Sequence, residues 1–252
     1  MIVKRLLTMP RLTRYLAQLT ACITIGSCFA VSAEEFYEED AVGNINQRNI
    51  GVLKSNRFDD SSEKPGKLIN KNIALNNYSK LTIELPVSIT YQAGNSARAV
   101  LSGPDHVLQK IHLVEKGGRL IIRGSNFRSS QPVSIALYGN ELSQVYVHSP
   151  ADVEIQAVRA QAFQLSVSGA ADVAVSGQAQ NCKIDMQGAA DLELADLRCE
   201  AIIVSSLGTS DATVYASQRI SGLVQGAGDL TVLGSPDERD IRALGAYDLT
   251  YD

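Results

Sequence analysis

The residues in this chain with chemistry to offer are carboxylates, and they come at a fixed interval. Six aspartates, Asp152, Asp172, Asp191, Asp211, Asp229 and Asp248, follow one another at steps of 20, 19, 20, 18 and 19 residues. Five of them have a glycine three residues before: Gly169, Gly188, Gly208, Gly226 and Gly245. The first has Ser149 there instead. Stacked carboxylates could hold a hard cation. An aspartate beside a turn glycine also suits a plainer task, accepting hydrogen bonds from its own downstream backbone N–H groups. Backbone capping is the expectation, because six solvated charges in a row would repel one another. The Gly/Asp-rich nonapeptide of calcium-binding solenoids is absent, so no metal site and no cofactor are expected.

Other candidates are sparser. Glu154, Glu193 and Asp185 fall at outward positions, and paired acids can cleave a glycosidic bond. Glu154 and Glu193 lie two repeats apart, about 10 Å, against about 6.5–9.5 Å between the carboxyls of inverting glycosidases. Scattered acids on a solvated face are the expectation, and no residue is assigned a catalytic role. His106, His112 and His148 have no neighbour at a metal-ligand spacing. Neither G-x-S-x-G nor a P-loop occurs. Cys182 and Cys199 are expected as buried free thiols, with a disulfide as the alternative that an exported location would permit.

The elements that would position these groups follow from the same repeat. One residue after each aspartate stand Val153, Val173, Leu192, Ala212, Leu230 and Leu249; two further on stand Ile155, Val175, Leu194, Val214, Val232 and Tyr251. Between them lie Glu154, Ala174, Glu193, Thr213, Thr231 and Thr250. Period-two alternation makes each aspartate the start of a short strand with one face inward. A second alternation precedes each glycine, through Val167, Leu165 and Phe163 in the first copy. Each repeat is thus two strands joined at a Gly-x-x-Asp corner, and Gly supplies the φ > 0 that a sharp corner needs. A period near twenty marks a solenoid. Helical solenoids need roughly 33 or more residues per repeat, and the leucine-rich signature is missing. The expected fold is an all-β, right-handed parallel β-helix.

Residues 1–33 read as a secretory signal: Lys4, Arg5, Arg11 and Arg14 precede an apolar run from Tyr15 to Phe29, with Val31-Ser32-Ala33 as the cleavage site. The run is short for a membrane span. Lipidation at Cys28 or Cys22 and an uncleaved anchor helix are the alternatives to cleavage after Ala33. Residues 34–66 form an acidic and polar tether, and residues 67–252 a single domain, with N-terminal strands and a cap over 67–148 and the regular repeats over 149–252. Within 67–148, Lys116-Gly117-Gly118 makes a hairpin, and Pro104 to Lys110 carries a short helical signal. Beyond residue 33 the chain holds 19 basic and 27 acidic residues. A net negative chain without a basic cluster excludes nucleic acid as the expected partner.

Two surfaces invite contact. Ile203, Leu207, Leu223 and Leu244 fall at outward positions where earlier repeats carry Ser166, Ser168, Lys183, Asp185 and Gln187. Such a patch marks contact with another strand of the chain, another subunit or a partner. At the C-terminal end a parallel edge is left open, and open edges invite self-association.

The order of these segments resembles the bacterial head GIN domain family, described as auto-transporter adhesins. The resemblance runs over about residues 74–250: Ile83-Glu84-Leu85-Pro86-Val87-Ser88-Ile89 to Gly94, the hairpin from Val114 to Ile122, the step from Leu142 to Val153, and the serial corners. Ser149-Pro150 departs from the usual Gly-small pair. The resemblance implies a right-handed β-helix on an exported protein and transfers no catalytic residue. A non-catalytic adhesion or binding module facing glycan or envelope protein is the expected function. A polysaccharide-active enzyme and a structural envelope-assembly protein are the alternatives.

Overall fold

The computed structural model describes residues 66–125 and 127–252. The signal segment with Cys22, Cys28 and Ala33, and the acidic tether up to Pro65, lie outside the described residues. Those described fall within one compact unit.

The fold is all-β. Ten strands run β1 Leu68–Ala74, β2 Lys80–Ile83, β3 Ser88–Ala93, β4 Arg98–Pro104, β5 Ile111–Lys116, β6 Arg119–Gly124, β7 Ser134–Gly139, β8 Gln144–Val147, β9 Asp152–Leu233 and β10 Glu238–Tyr251. The single helix among the described residues, α1 Asp105–Leu108, is one turn long and buries Val107 and Leu108. They form one sheet in the order β1-β4-β7-β3-β9-β8-β2-β6-β5, with β10 on β9. The centre is parallel: β7 with β3, β3 with β9, β8 with β9, β2 with β8 and with β6. Antiparallel pairs stand toward the two ends of that path, β1 with β4, β4 with β7 and β5 with β6. β5 and β6 are joined by Gly117 and Gly118 at φ +57° and +70°, the two-residue turn that needs positive φ at both positions. β2 and β3 lie between β6 and β7 on one side and β8 and β9 on the other, so spatial order departs from chain order in this half.

β9 carries the repeats. Straight, its 82 residues would run about 270 Å. It turns back instead. A Cβ on Gly188 would stand 2.5 Å from the Gly169 carbonyl oxygen, so one corner rests on the corner before it. The same holds for Gly208 on Gly188, Gly226 on Gly208 and Gly245 on Gly226. β10 continues the pattern, pairing parallel with β9 from Glu238↔Arg219 to Tyr251↔Val232, with Gly245↔Gly226 and Asp248↔Asp229 in register.

The inward columns fill the core. Val153, Ile155, Phe163, Leu165 and Val167 are buried, as are Ile184, Met186, Leu192 and Leu194 in the following repeats. Each such side chain contributes about 1.5–3 kcal/mol relative to exposure. At the N-terminal end Tyr78 and Tyr91 meet edge to face, 6.4 Å between centroids, and their hydroxyls donate to the carbonyls of Tyr138 and Gly139 at 3.1 and 3.0 Å. Burial, with the Glu141 charge second, pushes the Tyr91 phenol up to about 12.

The first corner differs for a local reason. Ser149 is buried and its Oγ donates to the Leu85 carbonyl at 2.8 Å. Below it lies the Leu85–Val87 turn rather than another Gly corner, and a Cβ on Gly169 would meet nothing within 4 Å. Gly169 and Gly188 share nearly the same φ, +118° and +114°, but only Gly188 abuts backbone. Gly169→Ala should therefore cost about 1–2 kcal/mol from φ alone, and Gly188→Ala more, about 3 kcal/mol, because packed backbone must shift. Thermal or urea unfolding of the two variants measures the difference.

Candidate functional site

Five corner aspartates line one open groove of about 650 Å³, together with Ser88, Glu154, Glu193, Thr213 and Thr231. The elements that build it are β3 and the segment of each repeat following its corner, laid side by side: Thr90 pairs with Glu154 and Thr231 with Thr250. The sixth aspartate, Asp248, adjoins Asp229 on β10. The row is exposed, so solvent screens its mutual repulsion.

The carboxylates do not cap their own downstream N–H groups. Asp211 Oδ1 accepts from the backbone N–H of Asp229, the next corner, at 2.8 Å. Asp152 Oδ2 accepts from Ser88 Oγ at 3.3 Å. Asp172, Asp191 and Asp248 accept no hydrogen bond within the described residues. The Asx-turn expectation is corrected accordingly. The bond from Asp211 crosses to the adjacent repeat, at the step that shortens to 18 residues.

Glu154 and Glu193 come to the same groove, but each is engaged locally. Glu154 Oε1 accepts from Gln156 Nε2 at 2.6 Å and Glu193 Oε1 from the Ala195 N–H at 3.3 Å. Asp185 is not with them; it pairs with Lys183 at 3.0 Å. The histidines are dispersed. His148 Nδ1 lies 2.8 Å from Ser168 Oγ and its ring stacks on Tyr146; His112 is exposed on β5, and His106 sits in α1. No group of three His, Cys, Asp or Glu side chains among the described residues could hold a metal ion.

Cys182 and Cys199 are joined in a disulfide, with Cα atoms 6.1 Å apart, rather than standing as free thiols. Sequence spacing put Cys199 in a turn, yet it is buried at 2 % exposure, one repeat on from buried Ala179 and close to the inward Cys182. Closing a loop of 17 residues contributes roughly 3 kcal/mol in the chain-entropy model.

The outward apolar residues are exposed: Ile203 54 %, Leu207 59 %, Leu223 37 % and Leu244 38 %. No strand among the described residues covers them. A cluster that spacing did not announce lies inside the C-terminal end. The Tyr247 hydroxyl sits 2.9 and 2.6 Å from Ser206 and Ser210 Oγ and donates to the Ser210 carbonyl at 2.7 Å. Its signal was the break in two columns, a serine among Val167, Met186 and Val224, and a tyrosine among Ala151, Ala171 and Ala190. Gly228, opposite Tyr247 in register, leaves room for the ring to pass.

An all-β chain with serial corners along an exposed groove defines a class, and comparison with known proteins gives the family. The family model described as "putative auto-transporter adhesin, head GIN domain" matches residues 77–236, and the chain belongs to that family. Among solved structures, a "putative adhesin" from Bacteroides fragilis aligns with a TM-score of 0.61 at 22 % identity, covering 74 % of this chain and 97 % of that one. A "putative lipid binding protein" from Parabacteroides distasonis aligns at 0.44 and 13 % identity, and a "putative adhesin" from Parabacteroides merdae at 0.45 and 8 %, each with the same two coverages. No curated protein sequence matches the chain.

The corner aspartates should separate by their partners. Asp211→Ala leaves the Asp229 N–H without an acceptor and should destabilise by about 1 kcal/mol, the usual cost of losing such a cap. Asp191→Ala removes a charge from an acidic row and should be neutral or slightly stabilising. Chemical unfolding at low salt reads both.

Proposed function

We propose that residues 67–252 form a right-handed parallel β-helix, and that this rod is a non-catalytic binding module of the bacterial cell envelope. Repeated corner-on-corner stacking and parallel pairing at offsets of 18–20 residues support the helix. One observation carries the binding reading: equivalent carboxylates and threonine hydroxyls recur along a single open groove, and most of the corner acids have no partner among the described residues. A row of acceptors at a constant step suits a ligand that is itself repetitive, a glycan offering hydroxyl donors or an envelope protein offering cations. Export through the signal over residues 1–33, with cleavage after Ala33 or a lipid on Cys28 or Cys22, belongs to this reading. No described helix is long and apolar enough to cross a membrane.

The enzymatic alternative draws on the shared groove of Glu154 and Glu193. Against it, both carboxylates are exposed and tied to neighbouring groups. A structural envelope-assembly role draws on the exposed Ile203 and Leu207 patch.

The purified full chain should retain glycans or basic envelope proteins on a column, and Asp172→Asn with Asp191→Asn should weaken retention. Incubation with uronic-acid polymers should release no new unsaturated or reducing ends. Turnover that disappears in Glu154→Gln or Glu193→Gln would replace this reading with the enzymatic one.

A further inference from the structure

The two ends of the parallel array are finished differently. Toward the N-terminal half, antiparallel β1, β4 and β5 and the short α1 close it. At the other end stands β10, whose fourteen residues pair with β9 on one side and with nothing on the other among the described residues. The core shows through there. Leu230 and Val232 of the preceding repeat are fully buried, whereas Ile241, Tyr247, Leu249 and Tyr251 are only partly so. A solenoid end needs a polar cap or a partner, and this one has an apolar inward face and a free row of N–H and C=O groups.

We propose that a second copy of the chain covers this end, β10 against β10, in an antiparallel pair whose two-fold axis passes at Gly245. A two-fold contact must be self-complementary, residue i meeting j and j meeting i, and β10 has that property in this register. Arg242 comes opposite Asp248, Ile241 opposite Leu249, and Ala243 opposite Tyr247. The inward residues 241, 243, 247 and 249 all meet inward residues, so the two cores join. Neither Arg242 nor Asp248 has an ion pair among the described residues, and Asp248 lies beside the like-charged Asp229, so the partner's Arg242 would answer an existing repulsion. Moving the axis to residue 244 sets Asp240 against Asp248. Moving it to 246 sets Asp240 against Asp252 and Leu244 against Asp248. Of these three axes, only the one at Gly245 sets opposite charges face to face, Arg242 on Asp248; it also brings Glu238, held by Arg219, opposite Asp252.

Two further charged residues of β10 are engaged within the described residues. Arg239 stacks on the Tyr251 ring at 4.5 Å and its Nε donates to the Pro236 carbonyl at 3.0 Å. Glu238 is held by Arg219, which lowers its carboxyl pKa through a hydrogen bond and opposite charge. The other free edges are poor counterparts for a head-to-tail filament: β1 has seven residues and β5 six, against fourteen in β10. The inference stands on the β10 edge and does not depend on what the groove binds.

Sedimentation velocity of the full chain over roughly 1–50 µM tests it. The expected result is a concentration-dependent dimer. Arg242→Asp should weaken association by on the order of a hundredfold, since it sets like charges face to face, and Arg242→Asp with Asp248→Arg should restore it. Circular dichroism unchanged across the variants shows that the fold is kept. A monomer throughout the range overturns the proposal. So does a dimer indifferent to Arg242→Asp, or one that the reciprocal exchange fails to restore.

Discussion

The structure depends on how closely successive corners approach. Backbone lies directly on backbone at Gly188, Gly208, Gly226 and Gly245, where a side chain would collide with the carbonyl of the preceding corner. That proximity fixes the register of everything between corners. Because side chains alternate with period two, one slipped residue would turn every Val, Leu and Ile of a repeat outward. Corner glycines and apolar columns are two statements of one constraint, the first keeping repeats in phase and the second making phase matter energetically.

From this constraint the surface follows. Keeping repeats in phase also keeps their outward side chains in rows, so the corner aspartates gather in one groove without any local force drawing them together. The row is a by-product of register that function could exploit, and its weak internal bonding fits that origin: of the corner carboxylates only Asp211 reaches a backbone N–H. The interior behaves differently toward the C-terminal end. Tyr247 enters where the column narrows to Ser210 and Gly228, and three hydroxyls satisfy one another inside an otherwise apolar stack. Buried polar groups are tolerated only when so satisfied.

Much of this was legible in the chain. The corners could be read because few residues besides Gly accept positive φ, and the strands because alternation over six copies leaves little room for another period. What was hidden lay between repeats. The Asp211 bond joins residues 18 apart, and no local turn rule anticipates it. The disulfide was hidden because Cys199 precedes a corner whose inward position is held elsewhere by Ala179, a residue too small to mark a core column. β1 was missed because its pattern is mostly exposed; it is held by pairing with β4 rather than by a buried face. The N-terminal half lacks a period because β2 sits between β6 and β8, so neighbours in space come from shuffled positions in the chain. The exposed Ile203 and Leu207, by contrast, were plain from alternation alone.

The most direct test of the stacked account is a pair of distances. Spin labels on cysteines replacing Asp152 and Asp211, and Asp152 and Asp248, span three and five corner-to-corner steps. At about 4.8 Å per step, the second mean distance should exceed the first by about 10 Å. An increment that instead follows the 37-residue separation along an extended strand, about 3.3 Å per residue, or no increment at all, would contradict the account.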